Sequence, residues 1–240
     1  MTEKKLIFLD TETTGTDIED KLIQVAYRTT DNVDVNELFT PDLPIKIGAM
    51  AVHHITEKMI SGKPAFVGSP VYLDLEKRFA AGEIFIAHNA KFDINMLEKE
   101  GLKIGTFIDT LKVARALDPD SKIDSYAMQY LRYLLGIEIE AQAHDAWGDI
   151  LVLEQLFYRM LKKIMESQDI SKDEAIDWMI EISTKPSLIR SINFGKHKGK
   201  KLEEIAKTDS GYLKWLLGQK EQEPENEEDW IYSLKHFLHI

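Results

Sequence analysis

The chain has 240 residues and no cysteine, which excludes disulfides and zinc sites built on thiolates. Hydrophobic residues make up 44% and charged residues 30%, the balance of a folded globular protein rather than a disordered one. A formal net charge of -11 excludes nucleic-acid binding through the field of the whole surface, so any such contact has to be local.

Met1 to Leu6 has no apolar run of signal-peptide length and no later stretch reaches the length of a membrane span, so a cytoplasmic protein without membrane contact is expected. Lys4 to Asp10 is a continuous apolar run ending in polar residues, the pattern of a central strand buried on both faces. Leu22 to Thr29 and Val33 to Phe39 alternate more, and Thr30-Asp31-Asn32 between them is turn chemistry, which predicts a hairpin added to that strand. From Ser69 the pattern alternates: helix to Ala81, strand over Glu83 to His88, helix over Ala90 to Glu100, a short strand over Phe107 to Asp109, then helix. Such alternation predicts a parallel portion of the sheet, hence a mixed α/β fold with helices on its flanks. Gly82 and Gly101 follow helical patterns, where a left-handed cap residue is expected.

After Ser125 the pattern is almost wholly helical, with the longest apolar-periodic stretch over Asp145 to Met165. Ser171 and Glu174 have the capping-box spacing, and Pro186 closes the helix that starts there. The expected organisation is a main domain over 1–168, a helical connector over 169–185 and a small C-terminal basic domain over 186–240.

Asp10 and Glu12, two apart at the end of the central strand, point to the same face and can share a ligand, while Gly15 is expected to free the backbone for close approach of that ligand. Asn89 is positioned to cap the helix that carries Asp93 in its first turn, at the carboxyl end of a strand, the rim where ligands bind α/β sheets. Asp145 is the expected cap of the long helix, which leaves His144 in the preceding loop and Asp149 in the first turn. Four carboxylates gathered at one site repel, and two divalent cations would cancel their formal charge; an all-oxygen set favours Mg²⁺ or Mn²⁺ over zinc.

At these residues, DTETTG over Asp10–Gly15, HNAKFD over His88–Asp93 and HDAWGD over His144–Asp149, the chain resembles the DnaQ-like 3′-5′ exonucleases of the ribonuclease H-like fold, over roughly residues 4 to 160. The resemblance implies that Asp10, Glu12, Asp93 and Asp149 hold two metal ions and that His144 is the general base. It also implies substrate contacts from Thr13, Thr14, Gly15, His88 and Asn89, from Met50 and His53 in the stretch Ala49 to Thr56, and from Phe92 as a base-stacking ring.

Ser187 to Lys201 contains Arg190, Lys196, Lys198, Lys200 and Lys201 and no acid, whereas Glu221 to Asp229 holds six acids. The glycine-rich basic turn and the following Tyr212, Trp215 and Leu216 resemble the small domain appended to exodeoxyribonuclease X-like proteins, with Lys196, Lys198 and Lys200 as expected phosphate contacts. The expected partner is a single-stranded or frayed 3′ end of DNA. RNA 3′-end trimming stands beside it, since nothing in the motifs reads the sugar, and a non-catalytic nucleic-acid-binding protein is the third reading. No feature encodes an oligomeric state, and a homodimer is compatible with the sequence.

Overall fold

The computed structural model describes residues 4–139, 146–224 and 227–240; the expected base His144 and helix cap Asp145 lie outside the described residues. A mixed five-stranded sheet in the order β3-β2-β1-β4-β5 forms the centre. Strand β1 (Leu6–Thr13) pairs antiparallel with β2 (Leu22–Thr29), which pairs antiparallel with β3 (Asp34–Leu38). On its other side β1 runs parallel to β4 (Ile84–Ala87), and β4 runs parallel to β5 (Phe107–Asp109). The hairpin and the parallel portion both form where the alternation of apolar residues places them.

Strand β1 is central because both of its faces are apolar. Leu6 and Phe8 face one cluster and Ile7 and Leu9 the other, all of them essentially inaccessible to water. The Ile7/Leu9 face is covered by α3 (Pro70–Ala80) and α4 (Ala90–Lys99) through Leu75, Phe79, Met96 and Leu97. The Leu6/Phe8 face is covered by α5 (Thr110–Ala116), α6 (Met128–Leu134) and the long helix α7 (Ala146–Gln168). Phe8 meets Phe157 of α7 edge-on with ring centroids 5.3 Å apart, and truncating either ring would cost about 3–5 kcal/mol. Gly82 and Gly101 end α3 and α4 with φ of 78° and 96°, the left-handed conformation a side chain would strain.

Helix α8 (Lys172–Ser183) opens on a complete capping box between Ser171 and Glu174. Its Ala175, Ile176 and Met179 are buried in the same cluster as Phe8 and Phe157, and the Ser183 hydroxyl accepts from Asp109 N–H at 2.8 Å. The expected connector is therefore a layer of the main core, because its apolar stripe is as deep as that of its neighbours.

The rest of the chain builds its own apolar cluster around Ile192, Leu202, Leu213 and Leu234. Its backbone turns at Gly195 and Gly199 and closes through a Ser191–Lys201 bridge, then continues as α9 (Leu202–Thr208), α10 (Ser210–Lys220) and α11 (Glu228–Leu238). It is fastened to α5 by Asp229, which accepts from Arg115 at 2.7 Å and from the backbone and hydroxyl of Ser187. Two short helices, α1 (Ile47–His53) and α2 (Glu57–Ile60), cover Ile23 of β2 through Ile45, Ile55 and Ile60. No helix among the described residues is long and apolar enough to cross a membrane.

Candidate active site

Asp10 and Glu12 continue the Leu6/Phe8 face of β1 toward α7, both half-buried, just before a register shift between Glu12 and Thr13. Thr11 points to the other face, where α4 packs. Its N–H and its hydroxyl both donate to Asp93 Oδ1, at 3.1 and 2.7 Å, so the third acid is fastened to the backbone between the first two. Asp93 lies in the first turn of α4 and is buried; burial pushes its carboxyl above the ordinary range, and the two Thr11 bonds oppose that rise.

The fourth acid is held by a separate set of contacts. His88, at the end of β4, has Nε2 2.8 Å from the Tyr126 carbonyl and Nδ1 2.9 Å from the Thr110 hydroxyl. The carbonyl only accepts, so Nε2 donates to it. Burial holds the His88 pKa down at about 4, so the ring is neutral and Nδ1 can only accept from Thr110, whose one hydroxyl proton is shared with the Ala87 carbonyl 3.1 Å away. Three residues beyond Tyr126, Gln129 of α6 donates from Nε2 to Asp149 Oδ1 at 2.5 Å. Asp149 itself is buried in the first turn of α7, as expected.

The expected donor set is all oxygen and comes from β1, α4 and α7, a chemistry that fits a hard divalent cation. It is not preassembled: among the described residues no three His, Asp or Glu side chains form a group able to hold a metal ion. Asp93 and Asp149 each accept from a protein donor on one carboxylate oxygen, Thr11 in the first case and Gln129 in the second.

Several residues expected at the substrate serve the scaffold instead. His88 has both ring nitrogens engaged inside the protein and has none left for a phosphate. Asn89 occupies the cap position of α4 without a side-chain cap bond; it adopts the left-handed conformation, φ 67°, and its N–H donates to Asp109 Oδ1 at 3.0 Å. The Thr14 hydroxyl donates to the buried Asp20 at 2.8 Å, and the Thr13 hydroxyl donates to the Gly15 carbonyl at 2.6 Å. The space that Gly15 leaves is filled by protein and not by a ligand: a Cβ there would stand 2.5 Å from Asp20 Oδ2 and 2.7 Å from Lys46 Cδ. Lys46 closes that corner with ion pairs to Asp17 and Asp20.

His53 is buried beside this loop, its Nδ1 accepting from Ile55 N–H at 3.0 Å. Nε2 is enclosed and faces the Thr13 carbonyl without completing a bond of good geometry, and burial lowers the pKa of the ring. Met50 is half-buried against Ile55 and its neighbours, whereas Val52 is exposed. Phe92 packs on the α3/α4 core and still borders a cleft of about 1290 Å³ that runs from Thr16 and Asn89 to the C-terminal unit. Its lining is of mixed charge, with Lys91, Lys99, Lys112 and Arg115 alongside Asp17, Glu19, Glu98, Glu223, Glu227 and Asp229.

In the C-terminal unit Lys196 is committed to Asp209 at 2.7 Å and lies over the Tyr212 ring, while Lys198 and Lys200 are exposed. Sequence reasoning missed two contributors, Thr11 and Gln129. Thr11 was within reach, since it stands between Asp10 and Glu12; Gln129 carries no local signal because its partner is 20 residues away.

A family model described as Exonuclease matches residues 7–157, and one described as Exodeoxyribonuclease X-like C-terminal matches residues 192–221. The chain is 31% identical to exodeoxyribonuclease 10 of Escherichia coli (strain K12), over 97% of this chain and 98% of that protein. It is 32% identical to the DNA polymerase III subunit epsilon of Treponema pallidum, over 63% of this chain and 74% of that one. Among solved structures, exonuclease X in complex with 5′ overhanging duplex DNA superposes with a TM-score of 0.56 at 25% identity, covering 74% of this chain and 99% of that one.

Proposed function

This chain belongs to the DnaQ-like exonuclease family, and on that premise we propose that it is a metal-dependent exonuclease releasing nucleotides from the 3′ ends of DNA. The observation that carries the choice of DNA is likeness along the whole chain: a relative that matches 97% of it is an exodeoxyribonuclease. Divalent-metal dependence is general in the family. Asp10, Glu12, Asp93 and Asp149 would hold Mg²⁺ or Mn²⁺, two ions per site. When bound, such ions lower the pKa of a water and stabilise the leaving 3′ oxygen.

The chain's own residues have separate tasks. His144 takes the proton of the attacking water, a role suited to an imidazole whose pKa lies near neutrality. Thr11 fixes Asp93 against the strand that carries Asp10 and Glu12. Gln129 fixes the Asp149 carboxylate, and His88 holds the segment from which Gln129 projects. Phe92, half-buried and bordering the cleft, would stack on the terminal base, and His53, packed beside the β1 loop, would support that loop.

The test is cleavage of 3′-labelled and 5′-labelled single-stranded DNA and RNA with Mg²⁺, Mn²⁺ or chelator, by the native chain and by Asp149→Asn. Release of labelled mononucleotide from 3′-labelled DNA, stopped by chelator and abolished in the variant, supports the proposal. Faster release from RNA would replace DNA as the substrate class. No release from any strand would leave a binding protein.

A further inference from the structure

The C-terminal unit exposes a large aromatic ring. Trp215 of α10 is 56% exposed, although Leu213, Leu216 and Leu217 of the same helix are buried. Its helical neighbours at one turn before and after are Gly211 and Gly218, and a Cβ at Gly218 would meet no atom within 4 Å. Neither glycine places a side chain beside the indole, at a helix-propensity cost of about 1 kcal/mol for an interior glycine.

The ring does not stand alone. Tyr212 lies beside it, centroids 5.5 Å apart, and His197 of the basic turn packs edge-on against Tyr212 at 4.8 Å. That turn is itself rigid: Gly199 N–H donates to the Ile192 carbonyl at 2.7 Å, Ile192 N–H donates to the Lys200 carbonyl at 3.0 Å, and Gly195 sits against the Tyr212 hydroxyl. It carries Lys198, Lys200 and Lys201, all exposed, and Lys214 is exposed next to the indole. Among the described residues none of these four lysines is ion-paired, whereas Lys196 is neutralised by Asp209.

We propose that Trp215 and the flanking lysines form a second nucleic-acid site that binds single-stranded DNA away from the cleavage centre, one base stacking on the indole and neighbouring phosphates meeting Lys198, Lys200 and Lys214. Exposed aromatics beside unpaired lysines on a rigid support match the two chemistries of a single strand, a flat base and a regular row of anions. An acidic protein would supply the anions without flat partners for the exposed indole. The site rests on the proposed function only for the choice of probe.

The experiment is binding of a fluorescently labelled oligo(dT) to the full chain in chelator, where cleavage is absent and a failure of the catalytic reading has no influence. Trp215→Leu is expected to weaken binding about ten-fold and Trp215→Phe to stay within about three-fold of the native chain. Lys198→Ala with Lys200→Ala is expected to reduce the log-log salt slope by about 1.4. Unchanged affinity in Trp215→Leu overturns the proposal. So does an inorganic polyphosphate that competes equally well with both proteins, which would reduce the site to charge alone. A Trp215→Leu chain that changes from dimer to monomer in light scattering with its DNA affinity intact also overturns it, since the indole would then be a contact between copies.

Discussion

The contacts of His88 predict an acid-sensitive fold, and the size of the effect follows from the imidazole. The neutral ring donates to Tyr126 and accepts from Thr110, and burial holds its pKa at about 4 against 6.5 in an ordinary setting. A histidine with a depressed folded pKa leaves stability flat above pH 6.5. As the pH falls below that value the unfolded chain takes up the proton first, and stability drops until the folded ring titrates near 4. The full loss is roughly 3 kcal/mol, of which about 2 kcal/mol appears between pH 7 and pH 5. Urea unfolding in chelator at these two pH values, for the native chain and for His88→Gln, isolates the effect. The variant shifts both midpoints through its lost contacts, but its pH dependence should be smaller by about 2 kcal/mol. His53, whose pKa is lowered in the same direction, is present in both chains and cancels. Equal pH dependence in the two proteins would refute the assignment of a neutral, enclosed His88.

Gln129→Ala removes the donor to Asp149 without touching an acid, and is expected to lower kcat about 10–100-fold while KM for DNA stays nearly constant; a change in KM alone would argue against a positioning role. Asp229→Asn removes the anion that joins Arg115, Lys112 and Ser187. It should loosen the C-terminal unit by about 2 kcal/mol, read as lost hydrogen-exchange protection over residues 187–238 with α7 unaffected.

What could be read from the chain was whatever has a short period or a fixed local spacing. The central strand, the hairpin, the left-handed glycines and the Ser171 capping box all form where local chemistry places them. The first-turn positions of Asp93 and Asp149 follow from helix starts, and they too are found. What local spacing does not reveal is how a residue's surroundings engage it. Gly15 has the freedom a ligand site needs, yet Asp20 and Lys46 fill the space, because a buried aspartate must be surrounded by donors. Asn89 stands where a cap residue belongs, but its left-handed backbone directs its N–H to Asp109 instead. The contacts of His88 with Tyr126 and of Gln129 with Asp149 join separate places in the chain, so no spacing rule could announce them.

The charge of the chain shows the same distinction between sum and arrangement. The acidic stretch after Glu221 reads in sequence as a field opposed to the basic turn before it. In the structure three of its six acids are used locally: Glu221 pairs with Lys235 at 2.8 Å, Glu227 with Lys220 at 2.5 Å, and Asp229 with Arg115 at 2.7 Å. Each pair is nearly neutral beyond a Debye length of about 8 Å, so these acids contribute little to the field an approaching strand meets. The lysines of the Gly195–Lys201 turn, Lys196 excepted, have no such partner among the described residues. A chain of net charge -11 can therefore offer a nucleic acid a positive approach, because the strand responds to the charges left unpaired within its own screening distance and not to the total.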